Sequence, residues 1–156
     1  MLAFSTRRLG TAAALLTGIA VCLERVDAIW YAHKPEVPAV LGAAFAMHLS
    51  WAVAASLVNW NVYLLSAAVS RQARQSAAWC SVLLAGALAS GLAVARESPV
   101  AALTALWALT AIAAKPKDPE VLQVSQASCD GINSLCRVMS AVAVAAAALA
   151  GMRRFL

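Results

Sequence analysis

Between Val37 and Ser70 the chain carries no acidic or basic residue other than His48. Wound as an α-helix at about 1.5 Å per residue, such a run is roughly 51 Å long, well beyond the ~30 Å hydrocarbon core of a bilayer. Similar apolar runs recur along the chain with short charged segments between them. With 63% hydrophobic and 12% charged residues, the composition assigns these runs to lipid and not to the core of a soluble domain. In lipid every backbone polar group must be satisfied within the protein, and runs near twenty residues do so as helices. The expected fold is all-α: one polytopic integral membrane domain over residues 1–156, with four or five transmembrane helices and one interfacial amphipathic helix.

The segments follow from their breaks. Residues 1–8 form a cationic arm through Arg7 and Arg8, read as an anchor for the first helix, since no A-x-A site with a polar start follows it. Residues 9–114 hold four apolar segments. The first runs from Leu9 to Tyr31, but only Leu9 to Leu23, about 22 Å, is free of charge. Glu24, Arg25 and Asp27 are therefore expected at a wet interface, with Trp30 and Tyr31 as aromatic anchors. Lys34-Pro-Glu-Val-Pro38 breaks the helix, because proline disfavours helical geometry in the residue before it. The second span is placed at Val37–Asn59, with Asn59, Trp60 and Asn61 at the far interface and the remainder lying along the headgroups to Arg71 and Arg74. Ser76–Ala95 and Pro99–Ala114 follow, joined by a tight hinge in which Ser98 is expected to cap and Pro99 to open the next helix.

Asp118 and Pro119 mark another helix start. Over residues 119–137, Gln123, Gln126, Asp130, Asn133 and Arg137 recur every three or four positions, opposite Val121, Val124, Ile132, Leu135 and Met139. That stripe predicts an amphipathic helix on the membrane surface, leading into a last membrane segment at 135–152. Ala87 with Gly91, and Ala143 with Ala147 and Gly151, stand four apart on apolar helices, where small residues let helices approach closely. These residues, with Asp27, Trp30, Asp130 and Arg137, are the candidate membrane or partner contacts. The cations divide six and five between the two faces, which leaves orientation open.

Twelve basic residues against seven acidic ones give +5, but they stand in ones and twos at segment ends and form no patch for nucleic acid. Cys22, Cys80, Cys129 and Cys136 show no metal-binding spacing and read as small hydrophobes. His48 is the one titratable side chain in mid-span, and so the one candidate for a cofactor contact such as an axial haem ligand. A pair of haem ligands would need a second histidine at that depth, whereas His33 falls in the seam. A neutral imidazole hydrogen-bonded to a neighbouring helix through Ser50 or Ser90 is the preferred reading. Trp51 and Trp107 read as packing residues. No nucleophile with its base, phosphate loop or zinc spacing is present, so neither a catalytic residue, nor a metal, nor a cofactor is assigned and the protein is expected not to be an enzyme.

The seam LERVDAIWYAHK, through Asp27 and Trp30, resembles a helix of the peroxin-eleven family of peroxisomal membrane proteins. The stretch QASCDGINSLCRVMSAVAVAAAALAG, through Cys129 and Asp130, is similar to that family's last helix. This resemblance implies a non-enzymatic protein that organises or shapes the peroxisomal membrane. A second resemblance, through Glu24, Arg25, Val26 and Pro38, is to the membrane-associated eicosanoid and glutathione metabolism family, with His33 near the place of that family's Asn. It implies a small glutathione-dependent transferase. A third expectation, an accessory subunit of a respiratory or photosynthetic complex in the mitochondrial inner membrane, rests on the cationic start FSTRRLG and the small-residue faces. The expected partners are the lipid bilayer and other membrane proteins, a second copy of the chain among them.

Overall fold

The computed structural model describes residues 6–32, 39–67, 69–115 and 125–153. They form five helices, α1 (Thr6–Ala32), α2 (Ala39–Ser66), α3 (Arg71–Ala95), α4 (Pro99–Ala114) and α5 (Gln126–Arg153). The protein is all-helical and an integral membrane protein. Three helices, α2 from Val40, α3 and α5, are long and apolar enough to cross a membrane, and α4 is a shorter apolar helix. At 1.5 Å per residue α4 is about 24 Å long and α5 about 42 Å, so α5 must carry residues beyond the hydrocarbon core at its ends.

Side-chain contacts fix the directions. Tyr63 lies against Gly10, Thr17 Oγ1 is 2.7 Å from Ser56 Oγ, and Trp30 packs on Phe45 at 5.4 Å between ring centroids. Rising numbers on α1 thus meet falling numbers on α2, and the two helices are antiparallel along their length. Asn61 on α2 donates to Ser81 Oγ on α3 at 2.7 Å. Trp79 meets Gly131, and Met139 meets Gly86, so α3 and α5 run parallel. The chain passes up and down five times, and the α3–α4 hinge stands at the same end as the C-terminal turns of α1 and α5.

The core is built from small side chains. Ala93 of α3, Ala101 and Ala102 of α4, and Ala143, Ala146, Ala147 and Ala150 of α5 form one buried cluster. Val82, Leu109, Ile132, Cys136 and Met139 form a second, towards the other end. Alanine and glycine permit this close approach, and with lipid tails as apolar as leucine it is contact dispersion that holds the helices together. Many other large hydrophobics point outward: Leu15, Leu83, Leu84, Leu103 and Val144 are exposed, as side chains facing acyl chains must be.

Several segment boundaries differ from those the sequence suggested. α2 does not end near Asn59 but continues to Ser66. The asparagine amides fold back on their own helix, Asn59 donating to the Ala55 carbonyl at 2.9 Å and Asn61 to that of Leu57 at 2.8 Å. This local satisfaction lets an amide remain in an apolar helix and removes the reason to place it at an interface. α3 begins at Arg71, ahead of Ser76, because the Ser70 hydroxyl accepts from the Ala73 amide at 3.2 Å. Between Asn59 and Arg74 the described residues are thus the last turns of α2, to Ser66, and the first turn of α3, from Arg71.

At the hinge, Ser98 makes no side-chain capping bond. α3 ends instead on backbone bonds from Glu97 to Val94 and from Ser98 to Ala93, with Glu97 at φ 50°, a Schellman arrangement in which a glutamate holds the left-handed position usually taken by glycine. The expected amphipathic helix at 119–137 is not a separate surface element over its described part. Residues 126–137 are the opening turns of α5, which runs unbroken to Arg153. Gln126, Asp130 and Arg137 are exposed, while Cys129, Ile132 and Cys136 are buried. The polar stripe is therefore the wet overhang of a helix longer than the core is thick. The helix start at Asp118 and Pro119, and the seam from His33 to Pro38, lie outside the described residues.

Candidate functional site

A cleft of about 310 Å³ opens between α2, α3 and α4, with Ile132 of α5 contributing to its wall. It arises where small residues are not matched by a large partner: Ala54, Ala78, Ala85, Ala89, Ala105 and Ala108 all face it. Val53, Leu57, Val62, Leu88 and Leu109 supply most of the remaining wall, so the interior is almost wholly apolar. On α3 the lining runs from Arg74 to Leu92, about 27 Å along the axis. The cleft is a long slot parallel to the helices.

Its polar groups are few and placed at separate depths. At one end stand Arg74 and Gln75, one turn into α3. Arg74 Nε is buried without a hydrogen-bond partner, and among the described residues no carboxylate pairs with this guanidinium. Partway down, Asn61 and Ser81 bridge α2 and α3 across the slot. At the far end Ser50 is 7% exposed, and its hydroxyl is also without a partner. A buried polar atom left unpaired costs on the order of 1–3 kcal/mol, and satisfied ones are the rule in folded proteins. Two such atoms lie on the wall of this cavity, and the Ser90 and Ser140 hydroxyls, away from it, are likewise without a partner.

A second group of polar residues lies at the hinge end. Arg96 Nε is 3.5 Å from Asp27 Oδ2, its Nη2 is 3.5 Å from Glu24 Oε1, and its guanidinium carbon sits 5.2 Å from the centroid of the Tyr31 ring. Asp27 is 7% exposed. The sequence suggested solvated charges in this seam. The structure buries Asp27 and pairs it across helices, because the hinge turns Arg96 back on to α1, while Arg25 alone of the three remains largely in solvent. The free space beside Asp27 and Arg96 amounts to about 10 Å³, at the lower limit for a single water. This group ties helices together and has no room for a substrate.

The remaining candidates scatter. His48 is exposed on the outer side of α2, and neither Ser50 nor Ser90 bonds to it; the helix turns it away from the neighbour it was expected to contact. Trp30 packs on Phe45, and Trp51 on Trp107 at 5.4 Å on the outer surface. Asp130 accepts from Gln126 at 3.0 Å on the exposed side of α5, and Arg137 is exposed nearby. Ala147 lies in the alanine cluster, whereas Gly91 and Gly151 have no side-chain neighbour within 4 Å of an added Cβ. Cys129 and Cys136 are buried and Cys22 and Cys80 exposed.

The sequence reading placed Arg74 at an interface and Ser50 beside His48, and neither on a ligand site. The signal was available for Arg74, which stands four, seven and eleven positions before Ala78, Ser81 and Ala85 on one helix face. A cation that leads a stripe of small residues differs from a plain interfacial anchor.

Comparison with known proteins supplies the relationship. The family model described as TSPO-like protein matches residues 1–152, nearly the whole chain. Nothing among the curated proteins or the solved structures matches it. The match overturns the resemblances to the peroxin-eleven family and to the membrane-associated eicosanoid and glutathione metabolism family. The first rested on Asp27 with Trp30 and Cys129 with Asp130, the second on Glu24, Arg25, Val26 and Pro38; charges and aromatics at a helix end are what interfacial physics produces in unrelated membrane proteins, and here Asp27 pairs with Arg96 across helices.

Proposed function

Because the chain belongs to the TSPO-like protein family, and is thereby an integral membrane protein, we propose that it acts as a non-catalytic binding protein for a small, largely apolar molecule held in the α2–α3–α4 cleft. One observation carries this reading. The bundle keeps an apolar slot of about 310 Å³, within the range of ligand pockets, although alanine-rich helices elsewhere in the same molecule close to contact.

The lining supports binding over chemistry. It offers Ser50, Ser81, Asn61, Gln75 and Arg74 as polar groups and no histidine, cysteine, carboxylate or lysine. A guanidinium stays protonated and a serine without a base stays a hydroxyl, so these groups can hold and orient a ligand but have no route to move a proton.

The test is binding of an uncharged solvatochromic dye to the protein in nanodiscs. We expect saturable binding that is lost at least tenfold in Ala85→Phe, whose ring occupies the slot, with helix content unchanged by circular dichroism. Undiminished binding by that variant would place the dye elsewhere and end this reading.

A further inference from the structure

We propose that the ligand of this cleft is a single-chain amphiphile bearing a carboxylate, a long-chain fatty acid anion, seated with its head at Arg74 and its chain running down the slot towards Ser50. This rests on the cleft being a ligand site, and it names the ligand's chemical class.

Three features converge. The shape comes first: the slot runs about 27 Å along the α3 axis, long enough to take an extended chain from end to end. The second is the charge. Arg74 is the single charged side chain on the wall and stands at one extreme of it, with Nε buried and unpartnered. A guanidinium presents its donors as a planar fork that matches a carboxylate in two parallel bonds, and such charge-assisted bonds strengthen where water is scarce. Gln75 beside it offers a further amide donor.

The third feature is the order of polarity along the slot. Past Arg74 and Gln75 the wall is aliphatic except for the bridge between Asn61 and Ser81, whose amide hydrogens are already spent on the Leu57 carbonyl and on the Ser81 hydroxyl. The bridge holds the two helices and presents little that a methylene chain would have to desolvate. An amphiphile is the ligand whose own polarity follows this sequence, charged at one end and apolar over the rest. A neutral apolar ligand of the same length would leave the buried Arg74 Nε without a partner.

The experiment is competition for a fluorescent fatty acid bound to the full chain in detergent micelles at a pH where carboxylates are ionised. The competitors are palmitate and hexadecanol, which share a chain and differ in the head. Palmitate is expected to compete at least tenfold better than hexadecanol. Arg74→Gln is expected to weaken palmitate at least tenfold and hexadecanol by much less, and Arg74→Lys to recover part of the loss. Equal competition by the two, or Arg74→Gln binding palmitate as the unaltered protein does, would overturn the carboxylate assignment while leaving the cleft a binding site. If neither the dye nor palmitate bound to the unaltered protein, both proposals would fall.

Discussion

Arg96 Nε stands 3.5 Å from Asp27 Oδ2, and this pair joins the last turns of α1 to the α3–α4 hinge. Asp27 is buried, and the side chain of Arg96 is 20% exposed. Removing one partner leaves the other charge desolvated, and that cost exceeds what the intact pair contributes.

Arg96→Gln is therefore expected to lower unfolding free energy by about 2–3 kcal/mol, somewhat under the figure for a fully buried pair because some water reaches the arginine. Adding Asp27→Asn should recover most of the loss. Reversible unfolding in mixed micelles, run as a double-mutant cycle, measures both numbers; additive losses would show that the two residues act separately.

The close approach of α3 and α5 gives a second prediction. A Cβ at Gly86 would stand 3.0 Å from Met139 Cβ, and beyond it the Met139 methyl group overlaps the same space. Gly86→Val should cost about 1–3 kcal/mol by overpacking. Gly91, with nothing within 4 Å, should accept alanine with a gain of up to about 1 kcal/mol from helix propensity. Thermal melts of the two variants should move in opposite directions.

The Asn61–Ser81 bond is the polar link between α2 and α3 within the slot. Interhelical bonds of this kind in membranes are worth about 0.6 kcal/mol on average. Ser81→Ala should thus cost under about 1 kcal/mol, since Asn61 keeps its bond to the Leu57 carbonyl. A larger loss in chemical denaturation would mean that the link does more than join two helices.

His48 faces outward and makes no bond to a neighbouring helix. Replacing it with leucine removes a polar ring from an apolar surface. Stability and dye binding should both be retained in His48→Leu, and a protein that lost either would show a contact on that face.

Much of this architecture was legible beforehand, and the reason is local. Where chain chemistry sets an element, as in the apolar run after Val37 or the proline that opens α4, the reading and the structure agree. It failed where the decisive partner lies elsewhere in the chain. Asp27 looked solvated because the charge-free run before it is only about 22 Å long, and Arg96 arrives only through the fold. Asn59 and Asn61 looked interfacial because an amide in lipid is costly, yet each finds a carbonyl one turn back. Gln126, Asp130 and Arg137 looked like a surface helix because a polar stripe does not say where its helix ends. Of the cleft only Arg74, leading Ala78, Ser81 and Ala85 on one face, left a trace; the opening itself did not, because an alanine on a closed interface and one on an open slot are the same letter.

Glu97, held at φ 50°, makes the α3–α4 reversal tight enough for Arg96 to reach across to Asp27. The bundle is thereby clasped at that end, as a peg is by its spring. Arg74 stands at the other end, beyond the Asn61–Ser81 link and one turn from the start of α3. The slot's one charged group therefore sits a full helix length from the clasp, so a substitution at either end leaves the contacts of the other intact.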